Sequence, residues 1–527
     1  MRDRLKRLAG GLVLSCLFVV PSIPAPAQNL SIGVQAETSS TDPHFSIVNP
    51  SVSATRHMFD TLAHPDERQA LHPGLALGWA PVGDTEWEFR LRPGVKFHDG
   101  SAFTAADVAY SLLRARDLPN TLSGFDVMTK QITDIKVVDD LTVRIRSARP
   151  FPLMAEHLSA VAIMSRSAEG LTTTEMNAGK GINGTGPFRF VSWVKADALR
   201  LARNDAYWGK VADWTAVTIR PIPDDGARVA ALVSGTVDAI DLVPPVNVPA
   251  LRANPGIALA QTVSNRIIYF NVNVLPAANP GVTDAAGAPI NPNPLADRRV
   301  RLAISKAINR DALTARVLEG MAIPAAQLLP DGYPGTSPAL RPEAFDPDGA
   351  RALLAEAGFK DGFNLVITVP RDRNANDVKS TEAAAQMLSR IGLRVTVEAL
   401  PFSITQPRNA KAEFAMMMRG WGTETGENSM ALRSILGTRD TSRGWGMVNG
   451  GRYSNTSLDT MLETALATLE PAKREAMVAQ ATELGIRDVG IVPLHYQMAI
   501  WGLRKGLSYR ARSDSYTFAF DMHPVPR

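Results

Sequence analysis

The stretch Glu86–Arg116, EWEFRLRPGVKFHDGSAFTAADVAYSLLRAR, restricts the fold more than any other part of the sequence. Trp87, Phe89 and Leu91 alternate with Glu88 and Arg90, so an extended segment here has one apolar face and one polar face. That period of two belongs to a half-buried strand. Arg92-Pro93-Gly94 turns the chain, Lys96-Phe97 extends briefly, and Asp99-Gly100 turns it again. Thr104 followed by Asp107 is a capping-box pattern, and it predicts a helix with Val108, Leu112 and Ala115 on one face. A strand, two turns and a capped helix in so short a run demand mixed α/β packing.

The chain begins with Arg2, Arg4, Lys6 and Arg7, continues as an apolar run from Leu8 to Val20, and reaches Ala25-Pro26-Ala27 before Gln28. This is the order of a cleavable secretory signal peptide over residues 1–27. A membrane span needs about 20 apolar residues, and Pro21 and Pro24 interrupt this run too early. Cys16, the only cysteine, raises a lipoprotein reading, but Leu14 is badly placed before it and cleavage there would leave a very short apolar core. Without the leader no cysteine remains to form a disulfide. Its loss also lowers the formal charge from +4 to +1, since four basic residues and Asp3 go with it. No Lys/Arg-rich run follows that would track phosphates, so nucleic-acid binding has no support. The length and a hydrophobic content of 45% allow two or more lobes.

Several motifs fail on context. His57, His64 and His72 match no compact metal-ligand spacing and read as exposed or partly buried side chains. Residues 179–186, GKGINGTG, contain G-x-G-x-x-G, but Pro187 follows at once and Phe188, Phe190 and Trp193 continue as a strand. A dinucleotide site needs a helix there, so no nicotinamide cofactor is expected. A secreted hydrolase is the rival class, and neither a GxSxG elbow nor HExxH nor a cysteine outside the leader serves one. Ile267–Val274 and Ile491–Ile500 read as buried strands that carry the chain between lobes, and Tyr516–Met522 alternates weakly.

Leu365–Val369 is an apolar strand, Pro370–Ser380 a polar loop, Thr381–Ile391 a helix and Leu393–Ala399 the next strand, which together make a βαβ unit. Arg371 and Arg373 therefore sit beyond the carboxyl end of a strand, where open α/β sheets bind ligands. A second strand, Phe414–Met418, leads into the loop Arg419–Glu427, which contains Trp421, Glu424 and Glu427. Two loops of opposite charge are expected to face one cleft. Trp445, in the Gly-rich stretch 440–453, is a further candidate for stacking on a ligand.

Three phrases carry a family resemblance: the segment 86–116, the run GTGPFRFVSWVKADALRLARNDAYWG at 184–209, and PLADRRVRLAISKAINRDAL at 294–313. Together they resemble the bacterial extracellular solute-binding proteins of family 5, the peptide/nickel-type receptors of ABC importers. The resemblance implies an α/β fold of the two-lobe periplasmic binding protein type (type II, large cluster C form) with a discontinuous first lobe. Expected boundaries are 1–27 for the leader, 28–268 for lobe I with an inserted subdomain at about 60–185, 269–490 for lobe II, and 491–527 for the return to lobe I. It implies a monomer in the periplasm that binds a small peptide-like solute, closes about a hinge and delivers it to a membrane permease, without catalysis, cofactor or metal. In dipeptide-binding relatives a Trp-containing loop offers an Asp to the peptide ammonium and an Arg of the earlier loop holds the carboxylate. Aligned on Trp421, the Asp position is Glu424; Glu427 falls where many relatives have the Asp of an Asp-Pro pair, with Asn428 in place of the Pro. The arginine is Arg371 or Arg373. The longer Glu leaves an oligosaccharide or opine-like ligand as the alternative. Nickel is disfavoured because no His lies between His157 and His495.

Overall fold

A computed structural model describes residues 28–121, 123–374 and 376–525; the expected leader and Cys16 lie outside the described residues. Two antiparallel strands, Ile257–Val272 and Ile491–Arg504, form the axis of the molecule. At about 3.4 Å per residue, the 16 residues of the first reach about 50 Å. They pair from Ile257↔Arg504 to Val263↔Met498, break, and resume from Ile267↔Tyr496 to Asn271↔Ile491. Ser264, Asn265 and Arg266 fall in the break and form a bulge, which releases their backbone from the ladder. The first strand starts well before the expected Ile267, because Ala258, Ala260, Gln261 and Thr262 carry no apolar alternation.

Each end of this axis supports a half-sheet. At the Arg504 end, Ala239–Ile240 pairs with Gly502 and Leu503, and Asn29–Val34, Ala216–Pro221, Ala198–Arg203 and Phe188–Val194 follow in order. At the Ile491 end, Met416–Trp421 pairs with Ile267–Val272 and then lies parallel to Asn364–Pro370, which is flanked by Arg394–Leu400. The expected βαβ unit is present, with its helix at Asp377–Ser389. That helix begins four residues earlier than its apolar pattern, since Asp377 accepts from the Asn374 N–H at 3.1 Å and draws the polar loop into a first turn.

The cores follow the same division. Leu30, Phe59, Phe188, Val217, Trp501 and Met522 meet in one cluster although they come from distant parts of the chain, so that lobe is discontinuous. Phe270, Ile304, Leu365, Leu388 and Met418 form the other. Burying each such side chain contributes about 1.5–3 kcal/mol. A separate four-stranded sheet, in the order Ala76–Pro81, Glu86–Leu91, Thr142–Ser147, Ile132–Asp139, carries the helix Ala105–Asp117. Trp87, Phe89 and Leu91 are buried there, while Glu88 faces outward and pairs with Arg144 at 3.0 Å. The Thr104–Asp107 capping box is formed.

Two expectations need correction. His57 is fully buried: its Nε2 accepts the Ala519 N–H at 2.9 Å and its Nδ1 lies 2.7 Å from the Ser53 carbonyl. Burial pushes this imidazole down to about 4, so it stays neutral and ties the tail to the first lobe. The tail itself forms a short 3-10 turn at Ala519–Asp521 and a strand Met522–Pro524 paired with Leu507–Tyr509, rather than alternating from Tyr516. Among the described residues no helix is long and apolar enough to cross a membrane.

Candidate functional site

The bulge opens into a cleft of ≈ 730 Å³. Two loops wall it on one side: Asp372–Asn374 leaves the strand Asn364–Pro370, and Gly422–Glu424 leaves Met416–Trp421. Both strands are parallel, and both loops depart from carboxyl ends, which gathers side chains at one edge of the sheet. The opposite wall comes from Val34–Thr38, Asp241 and the return segment Asp514–Thr517.

The loop 421–427 is held from three directions. The Thr423 carbonyl accepts from Asn265 Nδ2 at 2.6 Å and from Gln69 Nε2 at 3.1 Å. Thr425 Oγ1 donates to Glu427 Oε1 at 2.9 Å. Gly426, with φ +67°, lies so close to Gln69 that an added Cβ would sit 2.6 Å from the Gln69 Cβ. With the backbone fixed, Glu424 points into the cleft and makes no hydrogen bond or ion pair to another side chain among the described residues. Burial pushes its carboxyl up to about 7, against a hydrogen bond from its own backbone N–H and the pull of the Arg266 guanidinium.

Arg373 also lines the cleft, on its exposed side, and its guanidinium stacks 4.8 Å above the Phe402 ring. Sequence reasoning missed Arg266. It stands on the bulge, lines the cleft, and its guanidinium has no partner among the described residues. Burial pushes it down to about 10; the like charge of Arg373 adds to that, while Glu424 and Asp377 oppose it. The one available signal was a lone Arg within the apolar run Ile267–Phe270 and its approach, SNRIIYF.

The other candidates lie elsewhere. Glu427 caps the helix Asn428–Ile435, accepting from Ser429 N at 2.6 Å and Met430 N at 3.2 Å, so its carboxylate is engaged by backbone. Trp445 is buried in the core with Ile435 and Tyr453, under the Arg443 guanidinium at 4.5 Å. Trp421 is half-buried between two cores and does not line the cleft. Arg371 is exposed, donates its N–H to the Leu400 carbonyl at 2.9 Å, and stays outside the lining. Glu424, Arg373 and Arg266 thus share the lining of one cleft. Other acids at the cleft are engaged: Asp514 pairs with Arg512 at 2.7 Å, and Asp241 accepts from Gln35 N at 2.8 Å. The lining holds the Glu424 carboxyl group and the two guanidiniums of Arg266 and Arg373, none of which makes an ion pair among the described residues.

Residues 70–443 match the family of bacterial extracellular solute-binding proteins, family 5, middle domain. The chain is 30% identical over 471 residues to a glutathione-binding protein GsiB of Pectobacterium atrosepticum, covering 87% of this chain and 86% of that one. It is 26% identical over 523 residues to the GsiB of Salmonella typhimurium, covering 96% and 97%. Among solved structures it resembles the periplasmic binding protein DppA from Helicobacter pylori in complex with the peptide STSA, with 25% identity, a TM-score of 0.76 and coverage of 94% and 98%. HbpA2 from Haemophilus parasuis shares the fold at a TM-score of 0.79 and 22% identity, covering 94% of this chain and 100% of that one. Family match, relatives and fold agree: this chain belongs to the bacterial extracellular solute-binding proteins of family 5.

Proposed function

We propose that this chain is the solute-binding component of an ABC importer and captures a peptide-like zwitterion, of the class that includes glutathione, without altering it chemically. The observation that carries this reading is one cleft lined by the Glu424 carboxyl and by the guanidiniums of Arg266 and Arg373, none of them in an ion pair among the described residues. Burying an ammonium and a carboxylate is costly unless each meets an opposite charge, and this cleft supplies both. A saccharide platform gains nothing from Trp445, which packs in the core.

In this reading residues 28–268 and 491–527 form the first lobe, 269–490 the second, and the bulge Ser264–Arg266 is the hinge between them. Cleavage before Gln28 places the receptor in the periplasm as a monomer, where it hands its cargo to the permease. Native mass spectrometry of the purified protein, followed by calorimetry with glutathione on wild type and Glu424→Gln, tests the assignment. A co-purified peptide and a clear loss of affinity in the variant are expected. A neutral sugar as cargo, or equal affinity in both proteins, rejects it.

A further inference from the structure

We propose that the subdomain inserted at about 60–185 is a latch: it grips the second lobe through Met430 and holds the cleft shut in the absence of cargo. This rests on the division into lobes proposed above and holds for a solute of any class.

Mechanically the subdomain belongs to the first lobe. The chain enters and leaves it there, and buried Asp60 at the entry accepts from Thr185 Oγ1 at 2.9 Å, Trp208 Nε1 at 2.8 Å and the Tyr207 O–H at 3.1 Å. Close by, His98 Nε2 lies 3.0 Å from the Gly186 carbonyl. Parting this junction would strand a buried carboxylate, so it stays together as the lobes move.

The seam toward the second lobe is of another kind. Met430, on the helix Asn428–Ile435, is 8% exposed and joins the subdomain's own apolar core with Leu153, Met154 and Leu158. Trp421, Leu466 and Leu469 of the second lobe pack against the same cluster. On the flanks, Gln69 Nε2 donates to the Thr423 carbonyl at 3.1 Å, and Lys130 Nζ lies against Gly444, 2.9 Å from where a Cβ would be. Apolar contacts of this sort part and re-form without leaving a buried charge unpaired. The unbranched thioether of Met430 suits a socket that is filled and vacated repeatedly. Thr423 and Met430 bracket the loop that carries Glu424, so withdrawing Met430 also draws that loop away from the first lobe.

Methionine oxidation by dilute hydrogen peroxide follows the seam directly, read by peptide mass spectrometry on protein dialysed free of carried-over solute. Met447, 50% exposed, and Met416, fully buried, are internal references. Met430 is expected to react about fivefold or more slowly than Met447 in wild type. Leu469→Ser removes an apolar contact at the rim of the seam and is expected to speed Met430 about fivefold while leaving both references unchanged. Small-angle scattering should give a larger radius of gyration for Met430→Ser than for wild type, and no change for Met430→Leu. If Met430→Ser loses the wild-type melting transition, Leu469→Ser takes its place in the scattering comparison. Met430 as reactive as Met447 in wild type, or as inert as Met416 in Leu469→Ser, overturns the latch, as do equal scattering profiles. A glutathione titration of wild type tests the solute assignment separately and bears on none of these readouts.

Discussion

Asn265 Nδ2 donates to Gln69 Oε1 at 2.7 Å across 196 residues of sequence, and both side chains are buried. With the Thr423 carbonyl as common acceptor, this contact joins a hairpin turn, the axial strand and the loop that carries Glu424. Asn265→Ala leaves buried polar atoms on Gln69 short of a partner, so a loss of about 1–3 kcal/mol is expected. Urea unfolding followed by tryptophan fluorescence measures it; an unshifted midpoint with the same slope would refute the role.

Gly426→Ala attacks the same junction sterically. The added methyl meets the Gln69 Cβ at 2.6 Å and its carbonyl oxygen at 2.9 Å, and the φ of +67° is unfavourable for alanine. The expected outcome is destabilisation of about 1–3 kcal/mol together with weaker binding, because the loop bearing Glu424 must move. Native-like stability in Gly426→Ala would show that the loop is looser than this packing implies.

Affinity should depend on pH through Glu424. Its carboxyl sits at about 7, above its ordinary value, so a growing fraction becomes neutral as pH falls through 7 and loses its attraction for an ammonium. Binding of glutathione is expected to weaken from pH 8 to pH 6. Ligand-free stability should move the opposite way: with the folded value raised, the native state binds more protons than the unfolded one between about 4.5 and 7, so stability falls as pH rises through that window. Asp377 at about 7 and Asp241 at about 6 titrate nearby, so the comparison must include Glu424→Gln. An identical pH slope in that variant would assign the effect elsewhere.

The two arginines of the earlier loop should separate cleanly. Arg373→Met removes a cleft charge and is expected to cost about tenfold or more in affinity for glutathione. Arg371, turned out of the cleft, is expected to tolerate the same change within about twofold. Calorimetry on both variants decides, and the reverse order would place the wrong residue in the site.

Glu427→Ala should report on folding. Its carboxylate accepts from two backbone N–H groups at the start of Asn428–Ile435, and loss of such a cap costs about 0.5–2 kcal/mol. A lowered melting temperature is the expected reading; an unchanged one would mean that water replaces the cap.

Local chemistry made much of this fold legible in the sequence. The strand Glu86–Leu91, the capped helix Ala105–Asp117 and the βαβ unit were all written in periodicity and capping residues, which act within a few positions. That Glu424 and Arg373 line the cleft was legible only in part: each lies three residues past a strand end, but Arg371, directly after the same strand as Arg373, stays outside the lining. Arg266 was not: its exposure to the cleft depends on a register shift against a strand more than two hundred residues away. Trp445 and Glu427 looked like ligand contacts because an aromatic ring and a loop carboxylate carry no mark of whether core or backbone has already claimed them.

The break between Val263 and Ile267 has a consequence beyond geometry. A continuous ladder would resist twisting along its length, so any swing of one half-sheet against the other concentrates where the ladder is interrupted. Arg266 is rooted at that interruption. On the proposed reading, cargo held there would pull on the joint itself, and occupancy would be expressed as an angle between the two half-sheets.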